Sequence, residues 1–321
     1  ENMNIVELGG IGMLRALGPL LSYIRTQKPV AIISALPGPN LVALAAKFLS
    51  GGGVKVIITQ HMHLSADKEM AKSARSKIRF IAMRLFYRFA DGIICVSEGL
   101  ADDFADLTGV TRDKIKVIYN PVFGESLPEK AAETARHKWL ENKRAPVFLA
   151  AGRLAAPKDY QTLLKAFASL QADTGAKLII LGEGPDREAI TATIENLSLQ
   201  DHVDLPGFTD NPYAFMAKAD AFVHSTKFEG FGNVLVEALA CGVPVISTDC
   251  PSGPGEILEN GKYGALVPVE DVSAMSQAMR GVIDGKRPDT KGLQARASCF
   301  TIKAIGPEYE TFLASYLSEK E

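Results

Sequence analysis

The stretch Ala221-Phe-Val-His-Ser-Thr-Lys-Phe-Glu-Gly-Phe-Gly-Asn-Val-Leu-Val-Glu237 runs from an apolar strand pattern into a helical one. Ala221–His224 is a short apolar run bounded by polar residues, which predicts a buried strand. Asn233–Cys241 has the apolar spacing of an amphipathic helix. In the loop between them, Gly230 and Gly232 permit close backbone approach, and the first amides of the helix point into the same place. The stretch therefore predicts a strand, a tight loop and a helix whose N-terminus suits a phosphate or a developing anion.

Similar apolar runs alternate with helical spacing along most of the chain. In the first half the predicted strands are Asn4–Leu8, Val30–Ser34, Val54–Thr59, Gly92–Val96 and Lys116–Tyr119. In the second half they are Val147–Ala151, Lys177–Leu181, Val203–Leu205, Ala221–His224, Val243–Thr248 and Ala265–Val267. Continuous apolar runs are typical of parallel strands that are buried on both faces. We therefore predict an α/β protein made of two Rossmann-like, doubly wound domains that face a cleft.

The boundary between the two domains is predicted from a break in this alternation. Gly124–Arg144 is charged and Ala-rich and has no strand pattern, so we interpret it as a partly helical connection. The predicted N-terminal domain covers residues 1–130, and the predicted C-terminal domain covers residues 131–302. A C-terminal helix at residues 303–321 is expected to pack back on the first domain.

The composition is that of a globular protein. With 47% hydrophobic and 22% charged residues and a net charge of -2, the chain is not wholly disordered and offers no electrostatic attraction to nucleic acid. The four cysteines form no Cys-x-x-Cys pair, and no basic-then-apolar leader opens the chain, which predicts a cytoplasmic location. The most apolar window, Val30–Leu49, is interrupted by Pro37-Gly-Pro-Asn40, so we expect no membrane-spanning helix.

Two pairs of charged residues are candidates for chemistry. Glu229 and Glu237 lie at the two ends of the loop–helix segment. A carboxylate among apolar residues needs hydrogen-bond donors, and vicinal sugar hydroxyls could provide them. Arg153 and Lys158 follow a predicted strand, where they could neutralise a diphosphate. Spacing alone leaves the ordinary alternatives open: surface glutamates held by nearby cations, and solvated cations at a helix start.

Five motifs occur in a fixed order on these elements. They are Gly152-Arg-Leu154 with Lys158, Leu181-Gly-Glu-Gly-Pro185, Leu205-Pro-Gly-Phe208, Glu229-x7-Glu237 and Gly242-x-Pro244-Val245. This order resembles the family 4 retaining glycosyltransferases, which belong to the glycosyl transferases group 1 and have the GT-B fold. The runs Asp249-Cys-Pro-Ser-Gly-Pro254 and Gly261-x-Tyr263-Gly264 are similar to a bacterial branch that builds surface polysaccharides. Thr59-x-His61 and Ile118-Tyr-Asn120-Pro121 resemble landmarks of the family's N-terminal domain.

The resemblance implies a retaining hexosyltransferase that moves a sugar from a nucleoside diphosphate sugar, with UDP expected, to a glycan or polyprenyl-linked acceptor. In this interpretation Arg153 and Lys158 hold the donor diphosphate and stabilise the departing nucleotide. Glu237 accepts hydrogen bonds from the ribose hydroxyls, and Glu229 contacts the transferred sugar.

The resemblance also places the rest of the donor and the acceptor. Backbone groups of the Gly230-Phe231-Gly232-Asn233 loop would help to hold the sugar and the phosphate oxygens. The base would lie near Glu183, Gly207 and Phe208. His61 would lie near the donor sugar and the acceptor, or else be a structural histidine with ordinary hydrogen bonds.

Two differences from the family pattern and one missing motif affect what we expect of this chain. The family normally begins with a strand and a Gly-rich loop, and this chain is predicted to lack that first β-α unit. Gly255 stands where the related branch usually has arginine. The chain contains no Asp-x-Asp triplet, which argues against a metal-dependent GT-A enzyme, so no metal and no cofactor are expected.

A basic helical segment raises the question of a membrane. Glu69–Phe89 is predicted to be one helix that combines cations with apolar residues, so residues 68–89 could contact an anionic membrane, at the inner face of the cytoplasmic membrane. The alternative is a packed helix with an ordinary solvated basic face. The excess of cations in a chain of negative net charge favours the membrane.

Two other functions share the fold. A non-catalytic relative that binds nucleotide-sugars, or a partner subunit of another transferase, fits the expected loss of the first unit. A GT-B nucleotide-sugar 2-epimerase fits less well, because it lacks the Glu-x7-Glu arrangement with upstream arginine and lysine.

Overall fold

A computed structural model describes residues 13–70 and 73–317 of the chain. The chain divides into two compact units. The first contains the described residues up to Tyr119 together with the chain from Pro307, and the second runs from Asn120 to Gly306. The connection predicted at Gly124–Arg144 therefore belongs to the second unit. The chain just before it is held there because the amide of Val122 donates to the Phe300 carbonyl at 2.8 Å.

The first unit has a parallel sheet of four strands in the order β1-β2-β3-β4. The strands are β1 (Ala31–Ala35), β2 (Lys55–Gln60), β3 (Gly92–Cys95) and β4 (Ile115–Val117). The helices are α1 (Leu17–Gln27), α2 (Pro37–Leu49), α3 (Leu64–Met70), α4 (Ala74–Phe86) and α5 (Glu98–Thr108). The predicted strand Asn4–Leu8 and the question of a lost first unit lie outside the described residues.

Two helices of the first unit differ from the prediction. Helix α2 begins at Pro37, so the segment that was expected to interrupt the apolar window Val30–Leu49 forms the first turn of this helix. Proline is tolerated in the first turn of a helix, where its missing N–H would have no intrahelical partner. The prediction of a single helix over Glu69–Phe89 is wrong, because α3 and α4 are separate helices. Ser73 caps the second of them by accepting a hydrogen bond from the Ser76 amide at 3.1 Å.

The second unit has a parallel sheet of six strands in the order β10-β9-β8-β5-β6-β7. Its strands are β5 (Val147–Ala151), β6 (Lys177–Leu181), β7 (Val203–Gly207), β8 (Ala221–His224), β9 (Val245–Thr248) and β10 (Ala265–Val267). Its helices are α6 (Leu127–Ala132), α7 (Lys138–Glu141), α8 (Tyr160–Thr174), α9 (Arg187–Asn196), α10 (Pro212–Met216), α11 (Asn233–Ala240), α12 (Pro254–Ile257), α13 (Val272–Ile283) and α14 (Thr290–Ser298). Helix α15 (Ile302–Leu317) ends the described chain and crosses from the second unit into the first.

Each unit has its own buried core, and the predicted α/β class with two parallel sheets is confirmed. In the first core the rings of Tyr87 and Phe104 stack with their centroids 5.6 Å apart. The end of α15 also packs in the first unit, since a Cβ built on Gly92 would lie 2.9 Å from the Tyr316 hydroxyl. In the second unit the strands are parallel, so the loops that follow β5, β6, β7 and β8 meet at one edge of the sheet.

Candidate functional site

The centre of the site is an ion pair between Lys158 and Glu229. Lys158 ends a short 3-10 turn after β5, and Glu229 lies in the loop between β8 and α11. The Lys158 ammonium donates to the Glu229 carboxylate, and both side chains are largely buried. Two residues that are 71 positions apart in the chain are thus held side by side at the carboxyl ends of neighbouring strands.

Hydroxyl groups after β8 fix the loop that carries Lys158. Ser225 Oγ donates to the Lys158 carbonyl at 2.7 Å, and Thr226 Oγ1 donates to the Pro157 carbonyl at 2.9 Å. The Lys227 amide adds a hydrogen bond of 2.8 Å to the same Pro157 carbonyl. Because these three groups lie directly before Glu229 in sequence, they set the position of Lys158 against that carboxylate. The sequence motifs did not reveal this connection.

His224 is a second, unpredicted partner of Glu229. Its Nε2 lies 3.0 Å from Glu229 Oε1, and the imidazole is buried at the end of β8. Burial lowers the pKa of His224, although the neighbouring carboxylate opposes that shift, so the ring is neutral at pH 7. Burial alone would raise the pKa of Glu229, but His224 and the Lys158 ammonium hold it well below its usual range. Glu229 is therefore a carboxylate under all ordinary conditions.

A third loop braces the backbone around Glu229. Ser252 Oγ donates to the Glu229 carbonyl at 2.5 Å. Gly253 has a φ of 91°, and a Cβ built on it would lie 1.9 Å from the carbonyl oxygen of Phe231. Only glycine fits this approach. The segment before α12 therefore presses against the Gly230–Gly232 loop and fixes its path into α11.

The loops after β5 and β6 touch through their glycines. Gly182 has a φ of 129°, and a Cβ built on it would lie 2.0 Å from the Gly152 carbonyl oxygen. A Cβ on Gly184 would lie 2.2 Å from the Leu154 carbonyl oxygen. The amide of Leu154 in turn donates to the Glu183 carbonyl at 2.9 Å. The glycines of Gly182-Glu-Gly-Pro185 thus serve close backbone packing, which supports the loop that carries Arg153.

Glu237 lies on the first turns of α11 beside Tyr213 of α10. The Tyr213 hydroxyl donates to Glu237 Oε1 at 3.3 Å. Burial raises the pKa of Glu237, and the hydrogen bond from Tyr213 opposes that shift. Burial and the adjacent carboxylate raise the pKa of Tyr213 to about 12, so the phenol keeps its proton and donates. Across residues 13–70 and 73–317 Glu237 takes part in no ion pair, which leaves a carboxylate with unused acceptor capacity.

Glu183, Gly207 and Phe208 come together at the end of β7. A Cβ on Gly207 would lie 2.9 Å from Glu183 Oε1, and Gly207 has a φ of 93°. Arg187 fixes Glu183 by an ion pair of 2.7 Å and donates to the Leu205 carbonyl at 2.8 Å. Phe208 is 75% exposed, which is unusual for a large apolar ring.

A pocket of about 330 Å³ adjoins this cluster. Its lining includes Leu181, Gly207 and Phe208 together with Glu133 and Arg136. The volume is at the lower end of the range for small-molecule sites. Glu133 and Arg136 lie in the segment that we interpreted as a connection, so the sequence motifs did not identify them.

The remaining predicted site residues lie in separate environments. Arg153 is exposed and, within the described chain, takes part in no ion pair. Gly232 has a φ of 102° and precedes α11, whereas Gly230 and Phe231 are buried in the loop before it. Asn233 is exposed, and its side-chain oxygen accepts a hydrogen bond of 2.8 Å from Asn120.

His61 belongs to the first unit, where it follows β2. Its Nε2 lies 3.0 Å from Thr59 Oγ1, and Thr59 Oγ1 donates to the Ser34 carbonyl at 3.1 Å. Burial lowers the pKa of His61, so the imidazole is neutral at pH 7. Within the described residues no group of three or more His, Cys, Asp or Glu side chains is arranged to hold a metal ion.

Comparison with protein families matches both halves of the chain. The family described as Glycosyl transferases group 1 matches residues 131–297, and the family described as Glycosyltransferase Family 4 matches residues 5–123. The first match alone covers half of the chain and contains Lys158, Glu229 and Glu237.

Two curated bacterial relatives are similar over most of this chain. The N-acetylgalactosamine-N,N'-diacetylbacillosaminyl-diphospho-undecaprenol 4-alpha-N-acetylgalactosaminyltransferase of Campylobacter jejuni is 33% identical over 77% of this chain. The lipopolysaccharide core biosynthesis glycosyltransferase LpsE of Rhizobium meliloti is 30% identical over 72% of it. The matched region spans 65% of the first relative's length and 66% of the second's.

A solved structure shows the same fold. HepE of Anabaena in complex with UDP-glucose superposes with a TM-score of 0.81 at 22% sequence identity, covering 94% of this chain and 82% of HepE. The predicted GT-B fold is confirmed by this likeness.

Proposed function

This chain belongs to the glycosyl transferases group 1, and we propose that it transfers a sugar from a UDP-sugar to a glycan or polyprenyl-linked acceptor with retention of configuration. The reaction is assigned to cell-surface polysaccharide synthesis. The single observation that carries this proposal is the ion pair between Lys158 and Glu229, fixed beside the N-terminus of α11. It brings together a cation and backbone amides, which suit an anionic diphosphate, and a carboxylate, which can accept hydrogen bonds from sugar hydroxyls.

The diphosphate is assigned to Lys158, Arg153 and the α11 N-terminus. The Lys158 ammonium has three donors, so it can keep its bond to Glu229 and still bind a phosphate oxygen. Arg153 is exposed and its forked guanidinium suits two phosphate oxygens. Charge that develops on the departing UDP would be stabilised by these cations without a metal ion.

The sugar and the ribose are assigned to the two glutamates of the Glu-x7-Glu motif. Glu229 stays ionised and accepts from hydroxyls of the transferred sugar, assisted by the backbone from Gly230 to Asn233. Glu237 has free acceptor capacity beside Tyr213, which suits the vicinal hydroxyls of ribose.

The base is assigned to the pocket beside Gly207 and Phe208. Its volume of about 330 Å³ fits a pyrimidine ring, and the Glu183 carboxylate at its border can accept a hydrogen bond. HepE, which shares the fold, binds UDP-glucose, and this supports UDP as the nucleotide.

The acceptor side is assigned to the first unit. His61 is neutral and half-buried, so it can donate or accept a hydrogen bond near the donor sugar or the acceptor. The Campylobacter jejuni relative is named for a diphospho-undecaprenol-linked substrate, which supports a polyprenyl-linked acceptor here.

The proposal is tested with water as the acceptor of the sugar. The chain is incubated with UDP-glucose, UDP-galactose or UDP-N-acetylgalactosamine, with and without EDTA, and NMR measures UDP release and the anomer of the free sugar that forms first. We expect one donor to be consumed without metal and to yield the α-anomer. Arg153→Ala should lower the rate at saturating donor by at least about tenfold. The exposed control Arg280→Ala should leave the rate unchanged. Formation of the β-anomer would contradict retention, and binding without turnover would favour a non-catalytic relative.

A further inference from the structure

Helix α4 carries apolar side chains on two opposite sides. Phe80 and Met83 face inward and are buried in the core of the first unit. Ile78, Ile81 and Leu85 are 66%, 61% and 49% exposed. Their spacing of three and four residues places these three side chains on one face of the helix, away from the core. A helix that only covered the core would have polar residues on this face.

The exposed face continues beyond the helix. Phe89, which follows α4, is 41% exposed, and Phe48 at the end of α2 is 48% exposed. Their rings meet edge to face with centroids 5.3 Å apart. We call Ile78, Ile81, Leu85, Phe89 and Phe48 the apolar stripe. Single exposed apolar residues are ordinary, but a continuous row of them indicates an interaction surface.

Cations flank the apolar stripe. Between Glu69 and Asp91 the sequence has six basic residues and no acidic one, although the whole chain has a net charge of -2. Arg79 is neutralised by an ion pair with Asp67. Arg75, Lys77 and Arg84 are exposed, and none of the ion pairs in the described ranges involves them. At 3.6 residues per turn, Lys77 and Arg84 lie on one side of the stripe and Arg75 on the other.

We propose that the apolar stripe and its flanking cations dock the first unit onto an anionic lipid surface. The apolar side chains would enter the boundary between headgroups and acyl chains, and the cations would pair with headgroup phosphates. An apolar protein partner would not require cations on both flanks with no acid among them. None of the helices in the described chain is long and apolar enough to cross a bilayer. The biological role of the lipid contact rests on the proposed function, because a polyprenyl-linked acceptor lies in such a surface, but the contact itself does not.

The proposal is tested with the full chain and no donor, by co-sedimentation with vesicles of phosphatidylcholine alone or mixed with phosphatidylglycerol. We expect binding to the anionic vesicles that weakens with added salt, and little binding to the neutral ones. Removing three cations in R75Q/K77Q/R84Q should weaken the affinity about fivefold per residue, or on the order of 100-fold in total. The matched control K165Q/K291Q/K303Q removes three exposed cations of the second unit and should weaken it little.

A second variant tests the apolar part. I78S/I81S/L85S changes only exposed side chains, so it should keep the thermal midpoint of the native chain and yet lose at least about tenfold in vesicle affinity. Equal binding of both triple variants and the native chain to anionic vesicles would overturn the proposal. So would a lipid-free dimer, seen by analytical ultracentrifugation, that I78S/I81S/L85S dissociates, because the stripe would then belong to a second copy.

Discussion

His224 Nε2 lies 3.0 Å from Glu229 Oε1, and a neutral buried imidazole thereby faces a buried carboxylate that Lys158 holds from another loop. Glu229 thus has two neighbours of different kinds. The ammonium has further donors that can bind a phosphate, whereas the imidazole is buried at the end of the strand. We infer that His224 is a positioning residue, which keeps Glu229 oriented and ionised while Lys158 engages the donor.

Replacement of His224 by leucine should lower kcat by about tenfold, because the Glu229 carboxylate loses a polar neighbour that orients it and holds its pKa down. Without the imidazole the pKa of Glu229 rises, so the acidic limb of the pH–rate profile should move to higher pH. The measurement is kcat against pH with the UDP-sugar that the native chain consumes. His224→Gln keeps a donor and should recover part of the rate. Identical profiles for leucine and glutamine would contradict the positioning role.

Lys158→Met should destabilise the second unit by about 2 kcal/mol, because it leaves the Glu229 carboxylate largely buried without its cation. The double variant Lys158→Met with Glu229→Gln should recover much of that loss. Urea unfolding measures both changes. The exposed pair of Lys262 and Glu259 provides the control, since Lys262→Met should leave the free energy of unfolding almost unchanged. Equal losses in the single and double variants would show that the pair is not coupled.

Nucleotide affinity should fall as the pH drops through the raised pKa of Glu237. Burial raises that pKa, so protonation begins at a higher pH than for an ordinary glutamate, and a protonated carboxyl loses acceptor capacity for the ribose hydroxyls. The free energy of unfolding should change in the opposite direction. Because the pKa of Glu237 is raised in the folded state, its ionised side chain destabilises the fold at pH 7, and this destabilisation decreases as the pH falls. Glu237→Gln should therefore raise the thermal midpoint while it lowers UDP affinity about tenfold and flattens the pH dependence. Titration calorimetry at several pH values tests this, and an unchanged pH dependence in Glu237→Gln would contradict it.

Gly182→Ala should destabilise the second unit by about 2–4 kcal/mol, because the new Cβ meets the Gly152 carbonyl and the backbone has a positive φ. Any folded fraction should bind UDP more weakly, since the displaced loop carries Arg153. The control is Gly281→Ala in α13, where a Cβ would make an ordinary contact of 3.5 Å with the Lys286 side chain. Helix propensity predicts a slight gain in stability there. Thermal unfolding compares the two, and equal midpoints would contradict the close packing of the two loops.

The order of strands and helices could be predicted because buried parallel strands and amphipathic helices leave strong periodic patterns. Strands β5 and β6 begin and end at the predicted residues, Val147–Ala151 and Lys177–Leu181. The start of helix α2 at Pro37 was not predicted. Proline interrupts the interior of a helix but is tolerated in its first turn, and the sequence pattern did not show which of the two applies here. The break between α3 and α4 was missed because Ser73 is an N-cap only if the backbone around it is extended, which tertiary packing decides.

Only those residues of the site that belong to recognisable motifs could be predicted from the sequence. The spacing of Glu229 and Glu237, and the position of Lys158 after a strand, made these residues candidates without showing which of them meet. His224 was read as the end of a strand, and nothing in its immediate sequence shows that it faces Glu229. The same is true of Tyr213, because its hydrogen bond to Glu237 joins two residues that are 24 positions apart in the chain and lie on different helices. Contacts across strands and loops depend on the fold and leave no local pattern.

The central claim is that the second unit binds the nucleotide of a sugar donor through Glu237, and the most direct measurement is calorimetric titration with UDP, GDP and ADP. We predict that UDP binds with a dissociation constant in the micromolar range and that Glu237→Ala weakens it at least about tenfold. Glu195→Ala, which removes an exposed glutamate of α9, should bind UDP as the native chain does. Failure of all three nucleotides to bind, or UDP binding that Glu237→Ala leaves unchanged, would contradict the claim.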